Sequence, residues 1–297
     1  MLYWLMFFLL LPIRFMPRGL ELFLGEMLGL FLYHVVRFKR NIVRKNLLLA
    51  YWSLSFEEIK KLEIENYIHY GRLVFELLHV PFDAVRFAEK NVRVHNIEHL
   101  EEALKKGKGV FFLSAHVGFW EIMGVAAMFY KVPLNIITKY MRLKIFDDVW
   151  VKSRASYGIK LINEAHSARN VLKAILKGEV VGVVLDQFMG PPVGDKVNFF
   201  GRPAWTITSL AWFAQRTQAP VIPVVNYRRS DGSFDLILYP DVGFEKTGTD
   251  RENIKRNTQR YSNIIEEFIK KHPEQWIWVH KRWKSVKEDA FKDNIYS

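Results

Sequence analysis

The sequence predicts an α/β fold in which a central, largely parallel sheet is flanked by helices, preceded by a hydrophobic N-terminal helical membrane anchor. Three observations carry this expectation. From residue 109 onward, short continuous apolar runs such as GVFFLSA (109–115) and VVGVVLD (180–186) alternate with segments of helical period. That is the pattern of strands buried on both faces by crossover helices. Two apolar runs, MLYWLMFFLLLPI (1–13) and GLELFLGEMLGLFLYHVV (19–36), open the chain. Half of the 297 residues are apolar, enough to build a substantial core.

The elements follow in order. The first apolar run is shorter than the ~20 residues a bilayer span requires, and it lacks the basic leader and small-residue cleavage site of a secretory signal. The second carries Glu21 and Glu26, and RFKRNIVRK (37–45) then supplies five cations in nine positions. Residues 1–36 read as an anchor embedded in the membrane or lying in its interface, with the basic stretch on cytoplasmic head groups. The alternative is a buried hydrophobic helix pair. Residues 41–106 are helix-rich: SFEEIKKLEIENYIHYGRLVFELLHV (55–80) begins with an N-cap signal at Ser55, and EHLEEALKKGKG (98–109) is a short helix ended by glycine. Strands are expected at 109–115, 134–138, 160–162, 180–186, 221–228 and 234–240. Helices are expected at 120–131, 143–157, 167–177, 204–217 and 250–271, with an irregular loop over 187–203 and WIWVHKRWK (276–284) closing the ordered part.

Composition narrows the function. The absence of cysteine removes disulfides, thiolate metal sites and a cysteine nucleophile. A net charge of +12 suits an anionic partner: nucleic acid, anionic lipid head groups or an acidic carrier protein. Basic and aromatic residues interleave in HKRWK (280–284), and aromatics recur in YWSL (51–54), a texture fit for base stacking or for a membrane interface. No groove-reading nucleic-acid module is recognisable, so nucleic acid is not an expected partner.

In open α/β sheets ligands gather beyond the carboxyl ends of the strands. His116 and Asp186 both fall there. In FFLSAHVGFWEIMG (111–124) the strand delivers His116, and Glu121 opens the next helix. An imidazole acts as a general base when one nitrogen is free and the other is held by a partner, a part Glu121 can take by folding back. An H-x4-E pair alone is a loose motif, and a packed histidine beside a helix-starting glutamate fits it as well. It is not the H-E-x-x-H of zinc proteases, and His95 and His99 straddle a strand-to-helix junction, so no metal site is expected. GPPVGDK (190–196) lacks the GK[ST] of a phosphate loop, and Ser114 lacks a G-x-S-x-G elbow. What remains is direct transfer: His116 deprotonates a hydroxyl that attacks an activated carbonyl, with Arg154 or Lys139 near the developing oxyanion.

SAHVGFWE (114–121) resembles the H-x4-[DE] block of glycerolipid acyltransferases, and more narrowly that of the late lauroyl and myristoyl transferases of bacterial lipid A biosynthesis. That branch also includes phosphatidylinositol mannoside acyltransferases. The apolar N-terminus, EHLEEALKKGKGVFFLSAH, KSRASYG (152–158), VVGVVLDQ (180–187), VNFFGRPAWT (197–206), APVIPV (219–224) and PEQWIWVHKRWK (273–284) agree in order, so the resemblance covers nearly the whole chain. It implies a membrane anchor over 1–40 and an acyltransferase domain over 41–297, on the cytoplasmic face of the inner membrane. An acyl chain would pass from an acyl carrier protein or coenzyme A thioester, the co-substrate in place of any cofactor, to a hydroxyl of a lipid A precursor or related anionic glycolipid. The alternatives are a phosphatidylinositol mannoside or another lysolipid as acceptor, or a non-catalytic membrane-binding protein on this fold. The resemblance implies His116 as base, Glu121 as its partner, and Arg154 and Asp186 beside them. It puts Lys139, Gln187, Phe200, Gly201, Ala204 and Thr206 near the substrate. Glu in place of Asp at 121, and the absence of an F-P-E-G block, count against glycerol-3-phosphate or lysophosphatidate as substrate.

Overall fold

The computed structural model describes residues 15–81, 83–138, 144–164, 167–285 and 296. The first apolar run of the expected anchor and Lys139 lie outside the described residues. The chain begins with α1 (Arg18–Phe31), which continues as a π-helical turn to Val36. There follow α2 (Arg40–Ala50), α3 (Phe56–His79), α4 (Ala84–Asn91), β1 (Val92–His95) and α5 (Glu98–Lys105). Strand and helix then alternate: β2 (Val110–Ser114), α6 (Glu121–Phe129), β3 (Leu134–Thr138), α7 (Lys144–Ser156), β4 (Lys160–Asn163), α8 (Ser167–Leu176) and β5 (Val180–Val184). A hairpin of β6 (Gly194–Phe199) and β7 (Arg202–Ile207) leads to α9 (Ser209–Thr217), β8 (Val221–Arg228), β9 (Phe234–Leu238) and α10 (Asp250–Lys271).

The seven-stranded sheet runs β1-β9-β8-β2-β5-β3-β4, and every pairing is parallel except β8 with β9. Its central strands β2, β5 and β8 are nearly continuous apolar runs because both faces are covered there. Phe111, Leu113, Val181 and Val183 pack with residues of α2, α3, α8, α9 and α10, whereas Val110, Leu134, Val180 and Val224 pack with α5 and α6. The expected α/β architecture is observed. Two helices start on capping boxes, Ser55 with Glu58 and Thr249 with Glu252, each of which satisfies otherwise orphaned backbone donors.

Two local expectations are corrected. Residues 204–207 are strand rather than helix, and 194–199, expected as loop, is its partner. Phe200 and Gly201 both adopt positive φ, the two-residue turn that matches hairpin twist, and the β-branched Thr206 and Ile207 favour the extended chain. The helix begins only at Ser209.

α1 lies against α3 through three glycines. A Cβ on Gly71 would collide with the Gly25 carbonyl and one on Gly29 with the Tyr67 carbonyl, so these helices cross backbone to backbone. On the outward side Leu20, Phe23, Met27, Phe31 and Val35 are exposed at helical spacing. The helical stretch Arg18–Val36 is long and apolar enough to cross a membrane by length and composition.

Candidate active site

β2 and β5 are adjacent and parallel, with Ser114 opposite Val184, so the residues that follow them emerge side by side. His116 follows β2 and Asp186 follows β5. The His116 backbone N–H donates to Asp186 Oδ2 at 3.0 Å, and its ring Nδ1 lies 2.9 Å from Oδ1. Trp276 Nε1 donates to the same Oδ2 at 2.7 Å. Burial alone would raise the Asp186 carboxyl, but the facing imidazole and these donors hold it well below the usual carboxylate range. Burial alone would likewise lower His116, yet the charge and hydrogen bond of Asp186, with a further contribution from Glu121, raise it above its ordinary value. A carboxylate on Nδ1 fixes that nitrogen as the donor and leaves Nε2 as the proton acceptor. The Trp120 ring meets the imidazole edge-on, with centroids 5.1 Å apart, and limits its rotation.

Sequence reasoning gives the orienting bond to Glu121, and the structure gives it to Asp186 instead. Glu121 is paired bidentately with Arg154, Nη2 to Oε1 at 2.5 Å and Nε to Oε2 at 3.1 Å. Arg154 Nη1 also donates to Thr138 at 3.3 Å. A guanidinium fork satisfies both carboxylate oxygens, so Glu121 has no reason to fold back onto the imidazole. Both residues still line the site.

The turn that carries His116 is clamped from the C-terminal segment. Gly118, at positive φ, donates its N–H to the Gln275 carbonyl, and a Cβ there would strike the Asn226 backbone. Phe119 N–H donates to Asn226 Oδ1 at 2.8 Å. Trp276 bridges Val117. The same segment holds the loop after β5: Phe188 N–H donates to His280 Nε2 at 2.9 Å, and Arg282 donates to the Trp205 and Gln187 carbonyls and to Thr206 Oγ1. Burial pushes His280 down to about 4, although Asp186 pulls the other way, and the neutral ring is the form that accepts from Phe188. The segment is itself pinned by Asn46 and Asn66, whose amides donate to its carbonyls.

A cavity of about 530 Å³ opens at this point, within the usual size of small-molecule sites. Its mouth carries His116, Trp120, Glu121, Arg154 and Gln187. Its inner wall is apolar, formed between α6 and the sheet by Phe112, Leu134, Ile136, Gly182, Met123 and Val224. The expected cluster of His116, Glu121, Arg154, Asp186 and Gln187 is thus brought together. Phe200, Gly201, Ala204 and Thr206 are not among the described lining residues. Phe200 packs on Tyr51 and Trp278, Ala204 and Thr206 are buried, and Gly201 forms the hairpin tip, so this block supports the site from behind. Ile207, one residue on, does reach the cavity. Sequence reasoning missed Trp276, Gln275, His280 and Arg282. The HKRWK stretch reads as an exposed basic–aromatic surface, yet Arg282 and Trp283 are buried.

The sequence matches the family described as bacterial lipid A biosynthesis acyltransferase over residues 1–285. A lipid A biosynthesis acyltransferase of Haemophilus influenzae is 21% identical over 286 residues, covering 96% of this chain and 88% of the relative. A lipid A biosynthesis palmitoleoyltransferase of Escherichia coli is 28% identical over 277 residues, 91% of this chain and 87% of the relative. A phosphatidylinositol mannoside acyltransferase of Mycolicibacterium smegmatis is 23% identical over 230 residues, 76% of this chain and 73% of the relative. With nearly the whole chain matched, this protein belongs to the bacterial lipid A biosynthesis acyltransferase family and is an O-acyltransferase.

Proposed function

We propose that the protein moves a fatty acyl chain from a thioester of acyl carrier protein or coenzyme A to a hydroxyl of a lipid A precursor or related anionic glycolipid, with His116 as general base. The observation that carries this reading is the pairing of His116 with the buried carboxylate of Asp186 at the mouth of a largely apolar cavity. His116 Nε2 takes the acceptor hydroxyl proton as the oxygen attacks the thioester carbonyl. The tetrahedral intermediate collapses, the C–S bond breaks, and the imidazolium returns the proton to the leaving thiolate. Asp186 steadies the imidazolium in between, and no acyl-enzyme is required. The Arg154–Glu121 pair lines the same cavity and supplies a guanidinium for the developing negative charge.

The acyl chain lies along the apolar inner wall. The protein acts at the membrane, with the exposed apolar stripe of α1 in the lipid and the cations of 37–45 on anionic head groups, at the cytoplasmic face of the inner membrane. The anchor is residues 1–40, and the acyltransferase domain is 41–297. The relatives named for lipid A and for phosphatidylinositol mannoside support a phosphorylated glycolipid acceptor. Mass spectrometry of membrane lipids from cells with and without the protein tests this: a glycolipid gaining one acyl mass supports the reading, and the gain should vanish with His116→Ala. A lipid profile indifferent to the protein's presence would overturn it.

A further inference from the structure

We infer that Gly182 sets the upper length of the acyl chain that fits this site, an inference that rests on the acyl-transfer reading above. Gly182 is the midpoint of β5, VVGVV, flanked on both sides by β-branched residues. A glycine inside a strand costs conformational entropy and gives up a side chain, so it calls for a reason. Positive φ is not the reason, because Gly182 is outside the set of positive-φ glycines. Close approach of another segment is not the reason either. A Cβ built there would meet nothing nearer than the Asn135 carbonyl and Leu134 Cδ1, both at 3.8 Å. By contrast, Gly109 and Gly118 are each held to glycine by a backbone carbonyl within 2.6 Å of such a Cβ.

What the missing side chain leaves open is the cavity. Gly182 pairs with Phe112 on β2 and Ile136 on β3, and all three line the pocket, so the row across the sheet is a notch between two larger residues. Phe112 precedes His116 by four residues. At a strand rise of about 3.3 Å this puts the notch up to ~13 Å from the base, the reach of roughly ten carbons in an extended chain. A longer chain must occupy the notch to continue toward Leu134, which pairs with Val180 two residues further from the base along β5 and also lines the cavity. A Cβ at 182 would enter that path while meeting its protein neighbours only at ordinary van der Waals distance.

The test is titration of the full-length protein with saturated fatty acids from octanoate to palmitate, for the wild type, Gly182→Ala and Gly182→Val, alongside mass spectrometry of the acyl chain on the product lipid. One methylene in an apolar pocket is worth ~10- to 200-fold. Relative to octanoate, palmitate binding should therefore fall ~10-fold in the alanine variant and ~100-fold in the valine variant, and the product chain should shorten. Persisting octanoate binding reports that the variants are folded. If the valine variant is unfolded, the alanine variant decides alone. An unchanged ratio of palmitate to octanoate binding in folded variants would overturn the inference. A shifted ratio in a protein whose wild type transfers no acyl group would uphold the notch and remove the transferase mechanism instead.

Discussion

The carboxylate of Asp186 is fully buried and accepts from three donors, two of them on His116 and one on Trp276. Only the neutral imidazole can take a proton, so activity should rise with pH through an apparent pKa above the ordinary 6.5 of histidine. Asp186→Asn removes the charge that raises His116 and leaves burial to lower it. The pH–rate limb should then move to lower pH while kcat drops ~10²–10⁴-fold, since the amide also fails to stabilise the imidazolium. Trp276→Phe keeps the packing and removes one donor; a loss of ~10–100-fold in kcat with KM little changed marks a positioning role. An unaltered limb in the Asp186→Asn profile would contradict the pairing. His116 and Asp186 were legible because each follows a continuous apolar run, and strand ends are where α/β folds collect ligands. Trp276 was not, because its hydrogen bond closes across 90 residues and nothing local in WIWV announces it.

At the level of elements, the helix-to-helix contact of α1 and α3 depends on missing side chains. Gly71→Val forces a side chain into the Gly25 and Gly29 backbones, and overpacking of this kind costs ~1–3 kcal/mol or more. Limited proteolysis should then cut in α1 at protease levels that leave the wild type intact. The outward face carries the membrane proposal: Phe23→Ser with Phe31→Ser removes two exposed rings, each worth ~1.5–3 kcal/mol when buried in an apolar medium. Vesicle flotation should weaken accordingly without loss of thermal stability, and undiminished flotation would count against that face. Helical period and apolar runs revealed nearly every strand and helix of the α/β core. The β6–β7 hairpin escaped because AWTITSLAWF carries apolar residues at both strand and helix spacing, and its Phe-Gly turn lacks the usual Asn-Gly signal.

Across the whole molecule, a buried ionic chain joins the N-terminal helix to the sheet. Arg18 bonds Glu21 and Glu76, and Arg228 of β8 grips Glu76 with two nitrogens. His79 sits 2.8 Å from Asp83 and 3.4 Å from Glu21. Burial alone would lower His79, but these two carboxylates outweigh it and push it up to about 9. A folded value raised above the unfolded 6.5 means that the stabilisation, ~3 kcal/mol at most, is complete below pH ~6.5 and fades as pH passes ~9. Thermal unfolding in detergent should show this decline, and His79→Gln should flatten it. The same long-range closure gathers the C-terminal segment, the turn after β2 and the loop after β5 into one site, from residues 70 to 159 positions apart. The measurement that bears most directly on the account is the initial rate of acyl transfer from an acyl thioester to membrane glycolipid by the purified protein, compared with His116→Ala. With His116 as the base, the variant should keep its fold and lose ~10²–10⁴-fold in kcat. Transfer within tenfold of the wild type, with the same pH profile, would contradict it.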